Sequence, residues 1–170
     1  MRKECINCGS KETVSYSGEY KFVECGLDNV VLKGIPIIDC PECGIQDPII
    51  PNFEGLLGVI AAALVQKPCP LNGAEVRFLR KYGGWNAVEF GKMVGVDSTT
   101  ISKWENGKQP VGKPADRLIR VTALVGEKMN RPPQLKQVMD HFQKIAPTCC
   151  PELLDVNPST MSYQYLKMPA

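Results

Sequence analysis

With 170 residues, of which 44% are apolar, 22% charged and 7% aromatic, the chain has the make-up of one or two small globular domains, which excludes a disordered or fibrous protein. Its 20 basic and 18 acidic side chains leave a net charge of +2, too little to argue for nucleic-acid binding by bulk charge. Eight cysteines fall below the density of a secreted disulfide scaffold and no secretory leader pattern precedes them, while the longest apolar run, Leu56 to Val65, is about half the roughly 20 residues a spanning helix needs. A cytoplasmic protein without a membrane segment is expected.

The first 50 residues read as short strands, Thr13 to Tyr16, Tyr20 to Val23 and Val30 to Ile38, punctuated by Gly18, Gly26 and Gly34. So small a unit buries too little surface to be stable without a staple. The staple is Cys5-Ile6-Asn7-Cys8-Gly9 with Cys40-Pro41-Glu42-Cys43-Gly44. Two residues between thiols let one tight turn aim both sulfurs at a single ion, and the following glycine accepts the backbone angles of that turn. Four thiolates select Zn²⁺ and leave no position for water, so one structural zinc on Cys5, Cys8, Cys40 and Cys43 is expected. A pair of disulfides and a redox pair are the weaker readings, the first disfavoured in a reducing compartment and the second normally built on one Cys-x-x-Cys at a helix start. Cys25 reads as an isolated thiol in preference to a substitute ligand, Cys69 as a thiol with no partner in sequence, Cys149 and Cys150 as free thiols of the tail with a redox or metal role the weaker reading, and His141 as a surface residue.

Phe53 to Gln66 reads as a helix apolar nearly all round, ended by Lys67-Pro68-Cys69-Pro70 and either wedged between two modules or packed on a second subunit. Beyond it helix starts become frequent. Asn72-x-x-Glu75 and Asn86-x-x-Glu89 predict capping boxes, Asp97 a cap, Pro114 the first turn of a further helix and Pro132-Pro133 the start of a last one. Charge follows the same division: residues 1–70 carry 6 basic and 9 acidic groups, residues 71–130 carry 10 and 6. Four thiolates on Zn²⁺ add a formal −2 to the acidic front, which suits a basic protein partner and not DNA.

In the basic part, Asn86 to Val96 and Asp97 to Gly107 predict a helix-turn-helix. Phe90, Met93 and Val94 are expected to face inward, Gly91 to admit a neighbouring helix, Gly95 to end the first helix in the left-handed conformation, and Ile101 and Trp104 to anchor the second. Ser98, Thr99, Thr100, Ser102, Lys103 and Asn106 are then left to meet base edges in a major groove, with Lys108, Lys113 and the amides near Pro114 on phosphates. The ordinary alternative is an amphipathic helix pair with a solvated face. No nucleophile–base pair or carboxylate dyad argues for an enzyme.

Ile101-Ser-Lys-Trp-Glu-Asn-Gly107 with Pro110 resembles the Xre/Cro-type helix-turn-helix, usually Ile-Ser-x-Trp-Glu-x-Gly-x-x-x-Pro, over residues 72–126. Here the proline comes one residue early, and Ala87 stands where that family usually carries a DNA-contacting glutamine. Two Cys knuckles, Val31-Leu-Lys-Gly-Ile35 ahead of the second, a linking helix and this motif together resemble the MqsA family of YgiT-type zinc-finger antitoxins over residues 1–126. That resemblance implies a zinc on Cys5, Cys8, Cys40 and Cys43, a ribonuclease toxin bound by the N-terminal domain, and a homodimer repressing a palindromic operator. The family's DNA-reading asparagine and arginine fall on Thr99 and Lys103, which implies a different operator sequence.

The expected architecture is therefore α+β: a zinc-binding β-rich domain at 1–50, a linking helix and Pro-rich linker at 51–71, an all-α DNA-binding domain at 72–146, and a C-terminal tail at 147–170. The two halves are expected to fold independently, so that Cys40→Ser unfolds only the front. The expected function is a dimeric DNA-binding repressor, the antitoxin of a toxin–antitoxin pair. The alternative is a stand-alone regulator whose zinc head binds another protein or senses metal or oxidants.

Overall fold

The computed structural model describes residues 5, 7–10, 13–125 and 152–167. Helices and strands are mixed: strands β1 (Thr13–Lys21), β2 (Val30–Asp39) and β3 (Gln46–Pro48), helices α1 (Phe53–Val65), α2 (Gly73–Tyr82), α3 (Ala87–Val94), α4 (Ser98–Glu105) and α5 (Lys113–Val125), and strands β4 (Glu152–Asn157) and β5 (Ser162–Lys167). The expected helix from Pro132, His141, Cys149 and Cys150 lie outside the described residues.

Two features of the first strands depart from expectation. The two strands predicted on either side of Gly18 are one strand, β1, in which Gly18 is a bulge in the pairing with β2. The reason is packing: a Cβ at Gly18 would lie 2.3 Å from Cδ1 of Ile37, so glycine is where β2 presses closest. Phe22 leaves the strand and Val23–Cys25 form a single 3-10 turn closed by Gly26 in the left-handed conformation. Gly34, also left-handed, sits inside β2, within the strand expected from Val30 to Ile38.

The largest departure is at the C-terminus. Residues 152–167, expected in an unassigned tail, form an antiparallel hairpin whose first strand pairs in parallel with β2, Val30 to Leu32 against Leu154 to Val156. The sheet order is β1-β2-β4-β5, with β3 on β2 at Ile37 to Asp39. The front sheet is thus assembled from both ends of the chain. No short-range pattern announces a parallel partner more than a hundred residues away, because parallel pairing needs a long crossover.

Helix α1 explains its all-round apolarity: it packs on β4 and β5 with one side and on α2 and α5 with the other. Leu56, Ile60, Ala63 and Leu64 join Leu32, Ile35, Leu154 and Val156 of the sheet and Val76, Leu79, Phe90, Ile101, Trp104 and Ile119 of the helices in one continuous core. That core runs through both halves, which were expected to fold independently. Asn52 caps the start of α1 by accepting from the Gly55 amide at 2.9 Å, and the Tyr165 hydroxyl donates to the Ala63 carbonyl at 3.0 Å.

At the other end of α1 the guanidinium of Arg120, fully buried, donates to the carbonyls of Leu64, Val65, Lys67 and Cys69 and to Asp116. Asp116 in turn accepts from the Leu71 amide at 2.7 Å. Beside it, buried Lys67 pairs with buried Glu75 at 2.9 Å. Four last carbonyls and a dipole end attract a cation, and a planar five-donor group satisfies several at once. The Pro-rich segment after α1 is therefore pinned to α5 from within.

Candidate metal centre and candidate nucleic-acid interface

The two knuckles are backbone copies of each other. Gly9 N–H donates to Cys5 O and Gly44 N–H to Cys40 O, both at 2.9 Å, while the Cys5 and Cys40 amides donate to the carbonyls of Ser10 and Ile45 at 2.6 and 3.1 Å. Gly9 and Gly44 both have the positive φ that this turn imposes, 75° and 68°. The second knuckle is the end of β2 and so is fixed by the sheet; the first precedes β1, which pairs with β2 from Thr13 opposite Asp39.

Register therefore brings all four sulfurs together, within 4.8 Å of one another. Cys5 and Cys43 sulfurs are 3.7 Å apart, Cys8 and Cys40 sulfurs 3.4 Å. A tetrahedron with metal–sulfur bonds of about 2.3 Å has edges of about 3.8 Å. The donor set and spacing fit a four-thiolate ion, and the four residues named from the sequence could hold a metal ion. Cys5 and Cys40 are buried and Cys8 and Cys43 exposed, and no disulfide joins any of the described cysteines.

Electrostatically the four are unequal. The Ser10 hydroxyl, 2.8 Å from the Cys40 sulfur, is the chief reason that thiol is pulled down to about 6, and the Asn7 side chain lowers Cys43. The amides of Cys8 and Asn7 favour a thiolate at Cys5, yet desolvation and the sulfurs of Cys40 and Cys43 prevail and push it up to about 11. Such a cluster does not carry four negative charges at neutral pH unaided; a bound cation is what would complete the ionisation.

In the basic half both predicted capping boxes are present: Asn72 with Glu75, and Asn86 with Glu89. Gly95 ends α3 with φ 75°, and Asp97 caps α4 by accepting from the Thr100 amide at 2.7 Å. The Thr99 and Thr100 hydrogen bonds hold the Asp97 carboxyl below its ordinary value. Gly91 is needed by the turn itself and not by a neighbouring helix: a Cβ there would meet the Val96 carbonyl oxygen at 2.6 Å. Phe90 and Val94 are buried as expected, but Met93 is 43% exposed, one position round the helix from the core stripe.

Ile101 and Trp104 are buried, while Thr99, Ser102, Lys103, Asn106, Lys108 and Lys113 are exposed; Ser98 and Thr100 are half-buried. Several of these side chains are already engaged locally. Thr99 donates its hydroxyl to Asp97 at 2.6 Å, and Asn106 donates to the Ser102 carbonyl at 2.8 Å while accepting from Arg77 at 2.8 Å. The Asn106 amide also reaches Ser102 Oγ at 3.3 Å, and Lys103 is exposed beside it on α4.

Sequence reasoning missed what braces this helix. Glu105 accepts from Arg80 at 2.6 and 3.0 Å and from Arg77 at 3.2 Å, tying α4 to α2. Burial opposes its ionisation, but Arg80 and Arg77 outweigh burial and hold the carboxyl below the ordinary glutamate range. The signal available was an Arg-x-x-Arg stripe in α2, two helices earlier, which names no partner. Exposed Lys81, Lys92, Lys103, Lys108 and Lys113 keep this half electropositive. No helix among the described residues is long and apolar enough to cross a membrane. Comparison of the chain with protein-family models, curated proteins and solved structures yields no match.

Proposed function

We propose that the protein is a sequence-specific, dimeric DNA-binding repressor with a zinc-stabilised head, and that it is the antitoxin of a toxin–antitoxin pair, as its resemblance to the MqsA family implies. The observation that carries the DNA reading is α4 itself. It buries Ile101 and Trp104, turns Thr99, Ser102 and Lys103 outward, and is held at its end by Arg77 and Arg80 through Glu105. A short helix presenting small polar and basic groups on a rigid base is what major-groove readout requires. Zinc on Cys5, Cys8, Cys40 and Cys43 would supply folding energy rather than chemistry, since thiolates fill the coordination sphere. The acidic head suits a basic protein such as a ribonuclease.

Selection of bound sequences from random duplex DNA tests binding, palindromy and half-site spacing together. An inverted repeat with centres one helical turn or a multiple apart is expected. In the same system Lys103→Ala should cost about 1–3 kcal/mol on the selected site if it reads a base, or mainly reduce the salt dependence if it meets a phosphate. Unchanged affinity and salt slope would remove Lys103 from the interface, and no enrichment at all would remove the function.

One observation favours the second reading, a stand-alone regulator with a sensing head: Cys8 and Cys43 are exposed, so an oxidant or competing chelator can reach the centre. Operator binding that responds to peroxide or zinc in the absence of any protein partner would support it. Co-purification of a small basic ribonuclease with the full chain would support the antitoxin.

A further inference from the structure

We propose that Ser10 is an outer-sphere donor of the metal centre, its hydroxyl reaching from the first knuckle to the Cys40 sulfur of the second and thereby setting the affinity and chemical protection of the bound ion. This rests on the four-thiolate reading above. Ser10 Oγ lies 2.8 Å from Cys40 Sγ and 3.1 Å from Cys8 Sγ. Metal-bound thiolates have no proton to give, so the hydroxyl is the donor, and its single hydrogen goes to the nearer sulfur.

The comparison between the knuckles isolates the side chain. The backbone role of Ser10, accepting the Cys5 amide through its carbonyl, is filled in the second knuckle by Ile45, which accepts the Cys40 amide. A hydroxyl is therefore not needed to make the turn. It places a donor on a buried sulfur, and Ile45 offers none in return. The hydroxyl is also held in position, because its residue is anchored by the 2.6 Å Cys5 amide bond and follows Gly9 in its left-handed conformation.

Four thiolates around a divalent cation leave two excess negative charges, here on sulfurs half of which are buried. A hydrogen bond to one of them draws charge from the sulfur, which offsets the burial and makes the sulfur less basic and less nucleophilic. Loss of the donor should weaken the competition of metal against protons and leave Cys40 the more reactive.

The test uses the full chain loaded with Co²⁺ or Zn²⁺, as wild type, Ser10→Ala and Ser10→Thr. Zinc affinity is read by competition with a chromophoric chelator, and sulfur basicity from the position of the thiolate-to-cobalt charge-transfer absorption. Reactivity is read from the rate at which iodoacetamide alkylates the zinc-loaded protein, a sulfur–carbon bond forming as iodide leaves. Ser10→Ala should lower zinc affinity about 10–100-fold, move the charge-transfer band to longer wavelength and speed alkylation, while Ser10→Thr keeps all three near wild type. Wild-type affinity and band in Ser10→Ala overturn the proposal. So does weaker binding with an unmoved band, since that is a structural effect alone. A wild type with no thiolate-to-cobalt absorption overturns the four-thiolate reading itself, and the Ser10 role falls with it.

Discussion

Protons would compete with a bound metal for the same sulfurs at the knuckles, and the inequality among those sulfurs would set the pH dependence. Cys40 ionises near about 6, Cys43 is also lowered, and Cys5 holds its proton up to about 11. Loading at pH 7 must then expel the Cys5 proton, and below pH 6 the Cys40 proton as well. The logarithm of zinc affinity should rise with pH throughout, more steeply near pH 5 than near pH 7, as more protons are displaced there. Competition titrations across that range check this, and a flat profile contradicts it. The four clustered cysteines were legible in the sequence because their spacing is a local property of two turns. Ser10 was not, because its role depends on the second knuckle lying across from it.

At the scale of elements, the α2–α4 brace and the α3–α4 turn decide how the polar face of α4 is presented. Glu105 has its carboxyl lowered from an ordinary 4.5, so its contribution is present above that value and disappears as pH falls through the lowered one. Glu105→Gln should cost about 1.5–3 kcal/mol at pH 7 and flatten the loss of thermal stability on acidification below about pH 4.5. An unaltered acid profile would mean that the brace is idle. Gly91→Ala puts a methyl against the Val96 carbonyl oxygen, a backbone atom with little room to move. The expected cost in denaturant unfolding is about 1–3 kcal/mol, and a neutral result would show that the turn can shift. Both helices and their caps were readable from the sequence, since Asn-x-x-Glu boxes and a terminal glycine act within one turn of chain. Met93 was misplaced because an eight-residue helix has room for two apolar stripes, and only the neighbours at α4 and α5 choose between them.

Across the whole molecule, the sheet that carries the cysteine cluster and the helices share one core through α1, with Arg120 closing its end. Leu154, 1% exposed in the C-terminal hairpin, lies in that core. Leu154→Ala should cost about 2–5 kcal/mol, and the loss should appear in one transition followed equally by tryptophan fluorescence, from Trp85 and Trp104 in the helical part, and by metal release at the knuckles. Two separate transitions would restore independent halves. The same coupling predicts that Cys40→Ser weakens the helical part too, because β2 runs from the metal centre into the shared core.

Sequence alone determined the paired knuckles, the extent of α1, the capping boxes and the turn before α4, each of which rests on interactions a few residues apart. Tertiary structure alone decided that the C-terminal segment completes the first sheet, that α1 is enclosed on two sides, and that Arg120, Glu105 and Ser10 have partners. Those outcomes depend on which surfaces meet, and chain separation leaves no periodic mark from which such meetings can be read.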